Sequence, residues 1–202
     1  MYIPHHQINE DTSEIMAFIR KYSFGILVSQ LNAKPWATHI PLELESDESG
    51  NDVLTGHIAK ANPQWKAFER NEAVLCIFNG PHAYVSSSWY QEEEVPTWNY
   101  VAVHVYGKLT ILDEEAVMAS LHRLVDRYEQ DSEHPISLNN MSQQTLKQVK
   151  GIVGFQIEIT NIQAKYKLSQ NREHDHPEII RELEKRKDAG SSGIAKMMKE
   201  RR

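Results

Sequence analysis

The chain has 202 residues, 40% of them hydrophobic and 25% charged, which is ordinary for one globular domain with at most a small appendage. No run approaches about 18 consecutive apolar residues, so no transmembrane helix is expected. The first residues, MYIPHHQINEDT, lack the regions of a signal peptide, and we expect a cytoplasmic protein. The net charge of -6 argues against nucleic-acid binding over the whole surface.

The charge is distributed unevenly along the chain. Residues 181–202 carry eight Lys or Arg and four Asp or Glu, whereas residues 1–180 carry 14 basic and 24 acidic residues. The body is therefore acidic and the C-terminal segment is basic. Such a segment can contact phosphates, although a solvated helical end gives the same pattern.

The first part of the chain predicts one helix followed by three strands. The capping pair Asp11 and Glu14 precedes apolar residues at helical spacing, so a helix is expected from Asp11 to Tyr22. Apolar or alternating runs predict strands at 24–31, 36–45 and 53–59, joined by the turn NAKP and the polar loop SDESGND.

The middle of the chain predicts further helices and strands in turn. Asn62 and Pro63 predict the start of a helix that runs to about residue 70. Strands are expected at 73–78 and 82–90, separated by Asn79-Gly80-Pro81, and at 98–112. Asp113 then caps a helix to about residue 128, and a short helix at 143–150 precedes a seventh strand at 151–169.

The last part predicts helix, with Pro177 at its start and AGSSG as a flexible joint before IAKMMKERR. The strands are joined mostly by short turns, with only a few helices inserted. This arrangement predicts a mainly β fold with added helices, an antiparallel barrel or sandwich. A doubly wound parallel sheet is not favoured, because most of its crossover helices are missing.

The stretch GHIAKANPQW places a lysine between the end of a strand and the start of a helix. Helix N-termini bind phosphate, and Lys60 would add a positive charge, so this stretch is a candidate phosphate anchor. A capped surface helix with an exposed lysine explains the same residues. Neither the Rossmann nor the P-loop nucleotide motif is present.

Alternation along the sixth strand separates two faces. Asn99 and three valines form a core face, whereas the opposite face carries Trp98, Tyr100, Ala102, His104 and Tyr106. The second face suits a subunit interface or a planar ligand, or a second internal core.

Other chemistry-bearing residues give weaker signals. Lys165, Lys167 and Arg172 could meet a phosphate or a carboxylate, although exposed lysines are common. No histidine pair has the spacing of a zinc motif, so no metal site is expected. His39 and His57 suit hydrogen bonds to a ligand, and Cys76, in an apolar strand, suits an inert core position.

Several of these stretches together resemble the PaiB family. They are MYIP, THIPL, GHIAKANPQW, GPHAYVSSSWY, VPTWNYVAVHVYG and AKYKLSQNR, in one order from Met1 to about Arg172. The chain departs from the family at Ser87, where members often carry proline. The resemblance implies an antiparallel FMN-binding split β-barrel over residues 1–172, followed by a helical, basic C-terminal tail over 173–202.

The resemblance also implies a homodimer with FMN in a groove between subunits. Residues near the flavin would be Thr38, His39 and Ile40, and the phosphate would meet His57, Ala59, Lys60 and Asn62. Ser86 is a further candidate, and the partner subunit would supply Trp98, Asn99, Lys167 and Arg172. No catalytic residue is identified.

Two classes of function follow from the resemblance, and a flavin-storage or interaction module with no chemistry of its own is a third possibility. The first is a negative transcriptional regulator of sporulation and degradative-enzyme (protease) genes, acting on DNA directly or through another protein. The second is a flavin-dependent oxidoreductase, flavin reductase or haem-degrading enzyme on the same fold. Fold alone does not choose between them.

Overall fold

The computed structural model describes residues 1–70 and 73–201. Within these described residues eight strands carry the fold, and three of them are longer than ten residues. Their bounds are β1 Ile8–Asn9, β2 Phe24–Leu31, β3 Lys34–Pro41, β4 Glu43–Ser46, β5 Asp52–Ala59, β6 Ala73–Val85, β7 Thr97–Ile111 and β8 Ile152–Lys167.

In the part of the chain that the structure describes, five α-helices accompany the strands: α1 Thr12–Lys21, α2 Glu114–Glu129, α3 Gln143–Leu146, α4 His176–Arg186 and α5 Ala189–Glu200. Three of them begin at an aspartate whose side chain accepts a hydrogen bond from an amide of the first turn, as N-caps do. These are Asp11 for α1, Asp113 for α2 and Asp188 for α5. None of the helices in the described part of the chain has the length and hydrophobicity needed to cross a bilayer.

The strands form one sheet in the order β3-β2-β6-β7-β8-β5-β4, with β1 paired to β8. The pairs β1–β8, β2–β3, β2–β6, β4–β5 and β5–β8 are antiparallel. The β2–β3 hairpin turns at Asn32 and Ala33, whose φ angles are 52° and 59°. Two central residues with positive φ are the mark of a tight hairpin, and they confirm the predicted turn.

The chain divides into two compact units. Unit 1 comprises Met1–Tyr22, Phe78–His104 and Gln163 to the C-terminus, and unit 2 comprises Ser23–Ile77 and Val105–Ile162. Each has buried apolar side chains of its own. Those of unit 1 include Ile19, Val103, Tyr166, Ile179, Leu183 and Ile194, and those of unit 2 include Leu27, Leu42, Leu54, Phe155 and Ile157. The division at residue 172 stays a prediction of the sequence.

Several predicted elements are confirmed. Helices α1 and α2 begin at the predicted caps, and β7 alternates as expected except at Ala102, which is buried; Asn99 and its valines are buried and Trp98 is exposed. Cys76 is fully buried, and burial raises the pKa of its thiol. The core role assigned to it from sequence is confirmed.

The predicted break at Asn79-Gly80-Pro81 is wrong, because β6 continues through it from Ala73 to Val85. A Cβ on Gly80 would lie 2.6 Å from the ring of Phe18. The glycine therefore permits a close approach and does not make a turn. The predicted strand over 82–90 ends at Val85, and Ser87–Trp89 form a 3-10 turn.

Three other predictions need correction. The strand expected at 36–45 is interrupted at Leu42, whose amide donates to the carbonyl of Ser23. The helix expected after Asn62 is the 3-10 helix Pro63–Arg70. The short helix expected at 143–150 is α3 followed by the 3-10 turn Lys147–Gly151.

The expected flexible joint AGSSG is wrong, because these residues form the first turns of α5. A Cβ on Gly190 would lie 2.5 Å from the carbonyl oxygen of His82, and one on Gly193 would lie 2.6 Å from Pro81. The small residues let α5 pack closely, and Ile194, Ala195 and Met198 are buried. Arg202, the last residue of the predicted tail, lies outside the described residues.

Candidate functional site

A buried polar cluster in unit 2 joins two of the predicted site residues, Thr38 and Asn62. The Thr38 hydroxyl donates to Oε1 of Gln64 at 2.5 Å, and the Asn62 amide nitrogen donates to the Thr38 hydroxyl oxygen at 2.9 Å. Gln64 is fully buried and also donates to Oγ of Ser29 at 3.0 Å. The cluster therefore fixes the start of the segment Pro63–Arg70 against β2 and β3.

Sequence reasoning missed Gln64, although it lies within the motif GHIAKANPQW. A glutamine two residues after a cap usually faces solvent, so its type gave no signal. Burial of its side chain depends on β2 and β3, which are distant in sequence. The main-chain amide of Gln64 donates to Oδ1 of Asn62 at 3.0 Å, and this bond is the local cap that the sequence did indicate.

The three predicted residues on β3 lie on two faces of the strand. Thr38 and Ile40 share the face of the Gln64 cluster, and Ile40 is buried. His39 lies opposite Ile26 in the hairpin register and is exposed on the other face. A ligand on one face of β3 therefore contacts Thr38 or His39 through the side chain, but not both.

Lys60 follows directly after β5 and is exposed. Its amide donates to the carbonyl of Gly151 at 2.7 Å, and its carbonyl accepts from the indole nitrogen of Trp65 at 2.9 Å. The ammonium group has no partner within the described residues. The backbone of Lys60 is thus fixed, while its charge remains available to an anion.

The predicted phosphate anchor differs from the structure in one respect. Pro63 has no amide hydrogen, and the Gln64 amide is already bonded to Asn62. The side chain of Lys60 is therefore a better candidate to bind a phosphate than the main-chain amides at the start of the Pro63–Arg70 helix.

Two further candidates lie on β5. His57 pairs with Gly154 of β8 and is half-buried, and burial lowers the pKa of its imidazole. It is therefore neutral at pH 7 and offers one donor and one acceptor nitrogen. Ala59, which pairs with Ile152, ends the strand and is exposed.

The other five candidates lie in unit 1, and four of them have polar partners there. Asn99 is fully buried and donates to Oγ of Ser169 at 2.9 Å. Lys167 donates to Thr97, Arg172 forms an ion pair with Glu94, and Ser86 accepts from the Ser88 amide at 3.3 Å.

The fifth, Trp98, is 52% exposed and belongs to an aromatic group on the surface of unit 1. Its ring centroid lies 6.0 Å from that of Tyr84, edge to face, and 6.0 Å from that of His82. Because the rings are tilted or edge to face, they present an uneven aromatic surface with polar edges. The predicted site residues thus form one set in unit 1 and another in unit 2. Within the unit 2 set, Thr38 and Asn62 are hydrogen-bonded directly to each other.

Residues 1–161 match the family model described as "Putative FMN-binding domain". The chain is also 42% identical to "Protease synthase and sporulation protein PAI 2" of Bacillus subtilis (strain 168), over 100% of this chain and 98% of that protein. The chain belongs to the PaiB-type FMN-binding family. It is also 30% identical to an uncharacterised protein of Emericella nidulans, over 100% of this chain and 97% of the other.

Solved structures confirm the predicted fold class of this PaiB-type chain. The FAD and haem binding protein from Mycobacterium smegmatis aligns with a TM-score of 0.63 and 13% identity, over 80% of this chain and 73% of that one. The flavocytochrome Anf3 from Azotobacter vinelandii aligns with a TM-score of 0.60 and 17% identity, over 80% and 70%. The fold is an antiparallel split barrel with added helices.

FMN is the cofactor of the family, and the residues present fit it. Its phosphate is a dianion, for which the unpaired ammonium of Lys60 is a suitable partner. Its ring carries carbonyl and imide groups along one edge, which suit a neutral histidine such as His57. When bound, FMN would supply one- or two-electron redox chemistry.

Proposed function

We propose that this chain is an FMN-binding negative regulator of protease and sporulation genes that acts as a homodimer in the cytoplasm. The observation that carries the proposal is the 42% identity, over 100% of this chain, with the Bacillus subtilis protein named for protease synthesis and sporulation. Identity at this level over whole chains supports a shared role better than a shared fold does.

In this proposal Lys60 binds the FMN phosphate, and Thr38 and Asn62 hold the neighbouring backbone in place. The bonds from Asn62 to Thr38 and from Thr38 to Gln64 support that division of roles, because they engage both side chains within the protein. His57 is placed toward the polar edge of the ring. Trp98, Asn99, Lys167 and Arg172 are placed on the partner subunit, as the family resemblance implies.

The proposed dimer is supported by apolar side chains left accessible on one face of unit 2. Phe24 is 68% exposed on β2, and Ile26 is half-buried opposite Ile77 of β6. On β3, the strand that neighbours β2 on its other edge, Pro41 pairs with Phe24. Apolar residues of β2, β3 and β6 therefore share this face of the sheet. We propose that a second copy of the chain covers this face. The aromatic face of β7, which the sequence predicts as a possible subunit interface, would be a further part of the same dimer contact.

Four cations of the C-terminal segment form surface ion pairs, which reduce the net positive charge that the segment presents to DNA. Cations that would meet phosphates are bound to carboxylates of unit 1, namely Arg181 to Glu178, Lys185 to Glu182, Lys199 to Glu184 and Arg201 to Glu14. We therefore place regulation through a partner protein or a flavin-dependent step ahead of direct contact with DNA.

Complementation tests the regulatory role. The chain is expressed in a Bacillus subtilis strain that lacks its relative, and extracellular protease activity and spore counts are measured. The proposal expects both to return toward the level of the parent strain, and expects less recovery with the variant Lys60→Met. Absence of recovery by a protein that is folded and binds FMN would contradict the regulatory role and favour an enzyme on the same fold.

A further inference from the structure

An apolar pocket of about 410 Å³ lies in unit 2, where α2 and the segment 146–150 meet the start of β8. Volumes of roughly 300–1,000 Å³ are typical of small-molecule sites, so the pocket can enclose a ligand of moderate size. Its wall is mainly aliphatic and includes the side chains of Leu112, Val117, Met118, Leu146, Val149 and Ile152.

The aliphatic wall is packed against the sheet on one side and accessible on the other. A Cβ on Gly154 would lie 2.5 Å from Cγ2 of Val117, so α2 packs directly on β8 at the pocket. Met118, Leu146 and Val149 are only half-buried, and their apolar surface is open to a ligand. No aromatic side chain lines the pocket within the described residues, so it offers a planar ring no stacking partner and suits an alkyl chain.

Two lysines, Lys60 and Lys150, line the same pocket. The main-chain amide of Lys60 donates to the carbonyl of Gly151 at 2.7 Å, so the two lysines lie on adjacent backbone segments. Neither ammonium group has a hydrogen-bond or ion-pair partner among the described residues. The carboxylate of Glu114 belongs to the same wall but is paired with neither lysine.

These features select an amphipathic anion as the ligand. Exposed lysines are common, but two of them beside one accessible apolar pocket present charge and apolar surface to a single molecule. An alkyl amine would be repelled by both cations, and a neutral alkyl chain would leave them unpaired. A carboxylate has two oxygens and can accept hydrogen bonds from both ammonium groups.

We propose that this pocket binds a medium-chain alkyl carboxylate, with the alkyl chain among the aliphatic side chains and the carboxylate bound by Lys150 and Lys60. Because Lys60 is also the proposed partner of the FMN phosphate, the ligand competes with FMN and acts as an effector of flavin binding. The competition rests on the proposed FMN site, whereas the pocket and its contact with Lys150 do not.

The first test is calorimetric titration of the flavin-free full chain with octanoate, butyrate and 1-octanol. Octanoate should bind at least about tenfold more tightly than butyrate, because each of its four additional methylenes contributes about fourfold when buried. 1-Octanol has the same alkyl chain without the charge, and it should bind about tenfold more weakly than octanoate.

Variants locate the ligand in the pocket. Lys150→Met should weaken octanoate binding about three- to tenfold and leave 1-octanol binding unchanged, because only a contact with the carboxylate is lost. Lys108→Met, at an exposed position of β7 outside the pocket wall, should bind octanoate as the wild type does. Met118→Asp should abolish binding of both ligands, since it places a charge beside the alkyl chain. Thermal unfolding verifies that each variant is folded.

The second test is competition with FMN. Octanoate at ten times its dissociation constant should raise the apparent dissociation constant for FMN about tenfold. The affinity for riboflavin, which lacks the phosphate, should stay unchanged. Lys150→Met should require correspondingly more octanoate for the same effect on FMN.

Equal affinity for octanoate and butyrate, or for octanoate and 1-octanol, would overturn the proposal, as would octanoate binding that Lys150→Met leaves unchanged. Preferential binding of FMN over riboflavin that octanoate does not affect would overturn the proposal and leave the flavin site intact. Equal binding of FMN and riboflavin, together with octanoate binding that depends on Lys150, would contradict the flavin site alone and support the pocket.

Discussion

At the scale of single residues, the candidate site depends on one side chain that the sequence did not single out. Gln64 is fully buried and connects Thr38, Ser29 and the main chain of β2. Sequence reasoning found Thr38 and Asn62 through a family resemblance and treated them as ligand contacts. The bond between them joins residues 24 positions apart, and spacing alone does not predict such a contact.

We expect Gln64→Leu to lower the free energy of unfolding by about 1–3 kcal/mol, because it removes the acceptor of the Thr38 hydroxyl and the donor to Oγ of the buried Ser29. Urea unfolding followed by circular dichroism measures the change. Gln30→Leu, at an exposed position of β2, is the matched control and should have little effect. Equal effects of the two substitutions would show that the cluster does not stabilise the fold.

His57 should make stability depend on pH. Burial lowers its pKa below the ordinary value of about 6.5, so the unfolded chain takes up this proton more readily than the folded protein. The contribution of His57 to the free energy of unfolding should therefore be fully present above about pH 6.5, and it should be lost as the pH falls below that value.

The measurement is the urea midpoint at several pH values for the wild type and His57→Gln. The decline should be shallower in the variant, whereas the exposed control His134→Gln should follow the wild type. Identical curves for all three proteins would contradict the assigned shift.

At the scale of elements, helix α5 shows where local propensity and tertiary packing disagree. Its first turns contain Gly190 and Gly193, which have poor helix propensity, and the sequence AGSSG by itself predicts a flexible joint. In the structure Asp188 caps the helix, and Ile194 and Met198 are buried below it. Packing of that apolar face compensates for the weak helix propensity. Helix propensity calculated from neighbouring residues does not include this tertiary stabilisation.

Gly190→Ala tests whether packing decides this helix. The substitution gains about 1 kcal/mol of helix propensity, but the added Cβ would lie 2.5 Å from the main-chain oxygen of His82. We expect a net destabilisation of about 1–2 kcal/mol by urea unfolding, because overpacking against backbone outweighs the gain. Ser192→Ala, at an exposed position of the same helix, should be neutral or slightly stabilising. A stabilised Gly190→Ala variant would show that α5 is free to shift.

At the scale of the whole molecule, the fold class could be predicted because its signals are repeated along the chain. Alternation on β7, capped helices at Asp11 and Asp113, and short turns between strands all indicate the same antiparallel fold. Continuity of β6 through Gly80 could not be predicted, since the reason for the glycine is the nearby ring of Phe18, which is distant in sequence. The candidate site was likewise located by motif, while its geometry required the structure.

The proposed dimer gives a prediction at this scale. The wild type should sediment as a dimer at micromolar concentration, and Phe24→Asp should shift it toward monomer, because a charge would enter an apolar interface. Ser132→Asp, at an exposed position of the loop after α2, should remain a dimer. A wild type that stays monomeric would contradict the proposed assembly.

The central claim is that this chain binds FMN through its phosphate at Lys60. Flavin-free protein is titrated with FMN and with riboflavin, and binding is followed by quenching of flavin fluorescence. FMN should bind more tightly than riboflavin. Lys60→Met should weaken FMN binding about tenfold or more and leave the affinity for riboflavin unchanged. The control variant Lys108→Met should bind both flavins as the wild type does. Equal affinity of the wild type for FMN and riboflavin, or no binding of either, would contradict the account.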